Sequence, residues 1–303
     1  MPRADLLDRT ALADRPAVDV FAFDAIGTPW RIDADAPITA AARADIAARV
    51  ERFDRDWSRF RDDSLVTEIA TGAGAWALPP EGGRLFALYR RLYDLTDGRV
   101  SPFVGGTLAR LGYGPSTPAV DAVTPAGRVT AWEGLATVRG DVLRTTDATI
   151  VDVGAAGKGL LVDLVLDVLR AHDITSVTID ASGDLRVAGD RRERVALEHP
   201  FDARRAIGVV EVTDGALCAS AVNRRVWGDG LHHVIDGRTG RPVESVVATW
   251  ALAPTALVAD GAATALFFSS PAEVHAATGA VGVRMFSDGR SERHRTFSGE
   301  LFS

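Results

Sequence analysis

The chain carries one lysine, Lys158, against 33 arginines. That lysine stands within Asp152-Val153-Gly154-Ala155-Ala156-Gly157-Lys158-Gly159, which reads as the end of a strand, a glycine-rich bend and a helix start. Small residues let the backbone come close to a ligand, and amides at a helix N-terminus attract phosphate. A compact ammonium there adds a point charge suited to a diphosphate. The spacing is not that of a P-loop, because Gly154 and Gly157 are too close together and Gly159 stands where a Ser or Thr would hold magnesium. The same segment also suits a helix start chosen for tight packing, with Lys158 in solvent.

Four further groups carry chemistry-bearing residues. Asp260 and Thr264, at i and i+4 in Ala259-Asp260-Gly261-Ala262-Ala263-Thr264, share one helix face. A carboxylate and a hydroxyl offer oxygen ligands, which suit Mg²⁺ rather than zinc; a helix-dipole acid and a back-bonded threonine read the same way. In Leu231-His232-His233-Val234-Ile235-Asp236, strand geometry sends the two histidines to opposite sides, so one at most faces a site. Asp180-Ala181-Ser182-Gly183-Asp184 is a small-residue bend, equally a ligand approach or a sharp turn between strands. Trp57 and Phe60, near Ser58 and Ser64, could stack on a planar ring or belong to the core.

The elements that must position these groups read as α+β, with antiparallel-rich sheets and packed helices. Residues 17–33 suggest a first strand pair. Apolar spacing predicts helices over about 40–60, 83–97, 154–172, 256–268 and 271–278. Gly98 is placed as a helix stop, with one helical turn expected near Thr107–Leu111 inside a Gly/Pro-rich stretch, 98–120. A hairpin turns at Arg139-Gly140-Asp141, and strands are expected at 175–180, 184–188, 194–198, 206–213, 231–236, 246–253 and 281–286. One domain over 17–290, with 1–16 as an N-terminal extension, accounts for the pattern.

Composition narrows the function classes. With 47% apolar and 25% charged residues the chain can bury a sizeable core, which excludes disorder. A net charge of −7 argues against nonspecific nucleic-acid binding. The arginines interleave with acids, as in Arg59, Arg61, Asp62 and Asp63 or Arg191, Arg192, Glu193 and Arg194, and read as solvated surface. Cys218 is the only cysteine, so no intrachain disulfide can form. No apolar run approaches the ~18 residues of a membrane span, and the acidic start has no apolar signal core, so the cytoplasm is the expected compartment.

In order, these segments resemble the ApbE family of FAD:protein FMN transferases over about residues 20–270. Ile26-Gly27-Thr28 resembles its Met-Gly-Thr, and Ser58-Arg59-Phe60 with Ser64 its Ser-x-Tyr/Phe…Ser. Asp152 through Lys158-Gly159, with Asp163, resembles Asp-Leu-Gly…Ala-Lys-Gly…Asp, and Ser182-Gly183-Asp184 resembles Gly-Gly-Asp. Ser220, His233, Ile235-Asp236 and Thr239-Gly240-Arg241-Pro242 resemble Thr-Ser-Gly…His-Ile-Ile-Asp-Pro-x-Thr-Gly-x-Pro. Asp260 and Thr264 match Ala-Asp-x-x-x-Thr.

The resemblance implies an FAD site lined by Ile26, Phe60, Arg99, Val100, Ser101, Asp152, Lys158, Ser182 and His233. It implies Mg²⁺ on the Ala155 carbonyl, Asp260 and Thr264, with Lys158, His233 and Asp260 in catalysis. The implied partner is an acceptor flavoprotein presenting a Thr or Ser hydroxyl, with AMP released. Departures are Ile26 for Met, Val100-Ser101 for Phe-Asp, Ala219-Ser220-Ala221 for Thr-Ser-Gly, and Gly237 for Pro. A noncatalytic FAD-binding or flavin-delivery protein and an FAD pyrophosphatase are the alternatives on the same scaffold.

Overall fold

Residues 19–24 alternate between half-buried and exposed side chains and residues 30–34 between buried and half-buried ones, and they form the first hairpin, Asp19–Ala25 with Thr28–Ala34. Its turn, Ile26-Gly27, has positive φ at both positions, +43° and +74°, the hand that matches strand twist. Gly27 adopts it freely, whereas a β-branched Ile26 there stores on the order of 1–3 kcal/mol of strain. The computed structural model describes residues 11–13, 17–114, 131–224, 226–227 and 231–302.

The main sheet is antiparallel throughout its described pairings. From one edge its strands are Ser291–Arg293, Val281–Phe286, Val246–Ala253, Asp202–Ala221, Asp184–His199, Val177–Asp180, Thr28–Ala34 and Asp19–Ala25. This is the α+β architecture that the clustering of strands predicts. Ala11–Ala13 pairs with Glu193–Val195, so part of the 1–16 segment joins the sheet, and Glu300–Leu301 pairs with Gly208–Val209 beyond position 290. The other residues of 1–16, and 115–120 of the predicted loop, lie outside the described residues.

Two expectations about strands change. The stretches 184–188 and 194–198 are one strand, and 206–213 is part of a second, longer one. Gly189 and the charges at 190–194 break the apolar period, yet Arg191 and Glu193 are buried rather than solvated. Arg191 binds Asp35 at 2.5 Å and the Thr178 hydroxyl at 2.9 Å, which satisfies its charge. The predicted strand 231–236 is two short ladders, Leu231–His232 on Val226–Trp227 and Ile235–Asp236 on Arg241–Pro242.

Helices cover one face of the sheet, burying Trp30, Ile32, Ile179, Leu160, Leu161 and Ala262 in one core. A second core, with Leu197, Val210, Trp250 and Met285, lies on the opposite face. The helix predicted to reach Phe60 runs Ala40–Trp57. Thr39 caps its start, and Trp57 is core while Phe60 lies past the end and is 48% exposed. The helix Gly82–Leu95 stops as expected near Gly98, whose amide donates to Tyr93 O at 2.8 Å.

The most apolar helix, Gly157–Ala171, packs against Ala256–Ala265. Their contact is tight at Gly159, where an added Cβ would lie 2.2 Å from the Ala256 carbonyl oxygen. Backbone cannot yield as a side-chain tip can. Gly159→Ala is therefore expected to cost about 3 kcal/mol through overpacking, read as a lower midpoint in urea denaturation. Among the described residues no helix is long and apolar enough to cross a membrane.

Candidate functional site

A cavity of about 1030 Å³ opens where the first hairpin, the Phe60 loop, the glycine-rich bend and the central strand ends meet. Ile26, Phe60, Arg99, Val100, Ser101 and Asp152 line it. So do Ala155, Lys158, Ser182, His233, Asp260 and Thr264. The residues that the resemblance assigns to the FAD, cation and catalytic roles thus border one space, whereas Ser64, Asp163, His232 and Asp236 are not among its lining residues.

Several amides of the glycine-rich bend are already bonded within the protein. The Gly154 amide donates to Asp152 Oδ1 (2.7 Å), that of Ala155 to the Tyr89 hydroxyl (3.2 Å), and those of Ala156 and Gly157 to Val153 O. The Gly159 amide donates to Asp260 Oδ2 at 2.9 Å. The anion that the helix N-terminus attracts is a carboxylate of the protein itself.

Lys158 is likewise engaged. Its ammonium donates to the carbonyls of Ala181 (2.8 Å) and Ser182 (3.1 Å) and lies 3.5 Å from Asp184 Oδ2. Asp184 is 1% exposed, so Lys158 supplies the nearby charge that makes its burial tolerable. The ammonium also ties down the Ser182 bend. Ser182 has φ +57° where the resembled family has glycine, and its hydroxyl bond to Pro29 O (2.8 Å) helps offset that conformation.

Asp163 sets the second helix against the first. Its two oxygens accept from the Ala256 and Leu257 amides, each at 2.9 Å, capping the helix that bears Asp260 and Thr264. Burial raises the Asp163 pKa, partly opposed by these two amides. The Thr264 hydroxyl reaches Ala155 O at 3.1 Å, so two oxygens read as cation ligands already touch.

Asp260, 8% exposed, shares the helix of Thr264 and the cavity wall. One carboxylate, one carbonyl and one hydroxyl make a hard-oxygen set. Among the described residues no group of three or more His, Cys, Asp or Glu side chains could hold a metal, which excludes a protein-only cage there. Three oxygen donors of this kind suit a hard cation such as Mg²⁺ rather than zinc.

Two of the departures from the resembled pattern, Ser101 and Gly237, have local explanations. Ser101 is buried, and its hydroxyl accepts from the Phe103 amide at 3.2 Å, a capping bond an aspartate could also make. At Gly237 an added Cβ would lie 2.8 Å from Gly98 O and 2.9 Å from Arg99 O, and its amide donates to Arg99 O at 2.8 Å. A proline could not make that bond. The changes at 99–101 and at 237 therefore meet in one loop contact, reinforced by the Arg99–Asp236 pair at 3.5 Å.

The two histidines diverge. His233 is half-buried in the cavity wall, while His232 is buried outside it. His232 Nε2 donates to Val243 O (2.9 Å) and Nδ1 accepts from the Val234 amide (3.3 Å), fixing the neutral ring. Burial holds its pKa below the ordinary 6.5, against the raising effect of Val243 O. The unfolded chain then binds the proton more tightly, so this stability is complete above about pH 6.5 and is lost as pH falls below it. A denaturation midpoint measured from pH 7.5 to 5 should fall on the acid side, and less steeply in His232→Gln.

Sequence reasoning missed Arg59 by placing it on the surface. It is 9% exposed, borders the cavity, and binds Asp152 Oδ2 through Nε at 2.5 Å. Its guanidinium carbon lies 4.4 Å from the Phe60 ring centroid and 4.9 Å from that of Tyr113. The available signal was its place inside Ser58-Arg59-Phe60, between two residues already singled out.

The fold is one shared with known flavin transferases. The model of the ApbE family matches residues 26–284. An FAD:protein FMN transferase of Rhodobacter capsulatus is 30% identical over 291 residues, 89% of this chain and 55% of that protein. This chain thus spans about half the length of that relative. One from Klebsiella pneumoniae (strain 342) is 26% identical over 81% of this chain and 77% of its own.

Among solved structures, the flavin transferase ApbE from Vibrio cholerae superposes with a TM-score of 0.80 at 23% identity, covering 95% of this chain and 98% of that one. The ApbE protein of Thermotoga maritima gives 0.80 at 21%, covering 92% and 97%. At these identities the likeness establishes the fold. The chain belongs to the ApbE family.

Proposed function

We propose that this chain is an FAD:protein FMN transferase that moves FMN from FAD to a Thr or Ser hydroxyl of an acceptor flavoprotein and releases AMP. The observation that carries the reading is the convergence of the Ala155, Asp260 and Thr264 oxygens with Lys158 and His233 on one cavity of about 1030 Å³, a volume at the upper end for ligand pockets. The names of the relatives support the same reaction.

The acceptor hydroxyl oxygen attacks the FMN-side phosphorus, the P–O bond to AMP breaks, and the hydroxyl proton passes to His233. Mg²⁺ held by Ala155 O, Asp260 and Thr264 would neutralise charge on the diphosphate oxygens. Lys158 holds the Ser182 bend and adds positive potential to the wall. Ile26, Phe60, Val100, Ser101 and Ser182 shape the flavin nucleotide site, with Arg99 and Asp152 at its borders.

Incubation with FAD, Mg²⁺ and a candidate acceptor tests the reading. AMP together with a flavin-fluorescent acceptor band is expected. AMP with free FMN in the absence of acceptor would instead make the protein a pyrophosphatase. Tight FAD binding with neither product would make it a carrier.

A further inference from the structure

Five cationic side chains border the cavity among the described residues: Arg59, Arg61, Arg99, Lys158 and Arg224. All five have their charge engaged by the protein, Arg59 through Asp152 at 2.5 Å. Arg61 binds Asp63 (2.7 Å) and Asp54 (3.2 Å), Arg99 pairs with Asp236, and Arg224 binds Glu198 (3.0 Å). Lys158 directs its ammonium at two carbonyls and Asp184.

Arg59 differs. An arginine carries five donor hydrogens, and Asp152 takes the one on Nε. Among the described residues Nη2 is buried with no hydrogen-bond partner. A buried donor left unsatisfied is costly, and such groups call for a missing partner. The bend amides next to Arg59 are already bonded, so they leave a bound diphosphate in need of another donor.

We propose that Arg59 is a phosphate-binding residue of this cavity, giving its free guanidinium edge to an oxygen of the FAD diphosphate. The assignment rests on the transferase reading and adds a residue to it. Asp152 fixes the guanidinium by accepting from Nε while its other oxygen holds the Gly154 amide, so pair and bend move as one unit. Tyr113 packs on the guanidinium and stacks on Trp227 at 4.8 Å, which backs that side. Phe60, 48% exposed, is the outer of the two rings packed on it. The proposal requires this exposed ring to shift so that a diphosphate oxygen reaches the buried Nη2.

Calorimetric titration with FAD, ADP and riboflavin, each with Mg²⁺, separates phosphate recognition from ring stacking. In Arg59→Met, FAD and ADP should bind about 10- to 100-fold more weakly, the loss of a charge-assisted hydrogen bond. Riboflavin, which has no phosphate, should change by less than about twofold. Arg59→Lys fills similar space and keeps the charge, so it should recover part of the phosphate-ligand loss, and it decides the matter if Arg59→Met does not fold. Unchanged FAD affinity in the variants, or a riboflavin loss equal to that of FAD, overturns the proposal while leaving the transferase reading in place. Failure of the unaltered protein to bind FAD at all defeats the transferase reading itself.

Discussion

Asp260→Asn is expected to lower FMN transfer by about 100- to 1000-fold, the scale found when one preorganised charge-stabilising group is removed from an active site. Asparagine keeps an oxygen that can accept from the Gly159 amide, now at 2.9 Å from Asp260 Oδ2. The junction of the two helices should therefore survive, with denaturation changed by no more than about 1 kcal/mol. Charge alone is removed, and with it the one carboxylate of the cation set. Raising Mg²⁺ should recover part of the rate in Asp260→Asn. Asp260→Ala, which also leaves the Gly159 amide unbonded, should lose both rate and stability. Steady-state AMP release and urea denaturation on the two variants decide this; a near-normal rate in Asp260→Asn would remove the carboxylate from the chemistry.

Lys158→Ala has the second largest expected effect, and it is a compound one. Removing the ammonium leaves Asp184, 1% exposed, without the cation 3.5 Å away. Stranding a buried charge costs about 3–5 kcal/mol. The Ala181–Ser182 bend also loses its two tethers. Transfer should fall by a few hundredfold, about 3–4 kcal/mol of lost charge stabilisation. Lys158→Ala combined with Asp184→Asn tests how the effect divides. If Lys158 mainly holds the fold, the double variant recovers stability and most of the rate. If its positive potential drives transfer, stability returns and the rate does not. Melting curves and AMP release on the same samples give the two readings.

Asp260 and Thr264 could be placed from sequence because helical spacing alone puts i and i+4 on one face. Trp57 and Phe60 were ambiguous for a comparable reason. Both fit one helical stripe, and only the helix ending at Trp57 frees Phe60 for the cavity. The state of the glycine-rich bend was not legible, because whether the Gly159 amide is open depends on a carboxylate 101 positions away. Arg59 was misread for the same reason: Asp152, its partner, is 93 positions away. Local charge pattern reports what surrounds a residue in the chain, not what folds against it. The long hairpin from Asp184 to Ala221 was fragmented in the reading because buried Arg191 and Glu193 look like surface. Their satisfaction comes from Asp35 and Thr178, on or beside neighbouring strands.

Crystals grown with FAD and Mn²⁺ in place of Mg²⁺ offer the most direct measurement, because anomalous scattering locates the cation independently of the flavin. One anomalous peak is expected within about 2.0–2.3 Å of Ala155 O, an Asp260 oxygen and the Thr264 hydroxyl, a normal distance for a hard cation on oxygen. It should touch the diphosphate of an FAD lying between Phe60 and His233. A cation elsewhere, or FAD bound away from the Lys158 helix, would contradict the account.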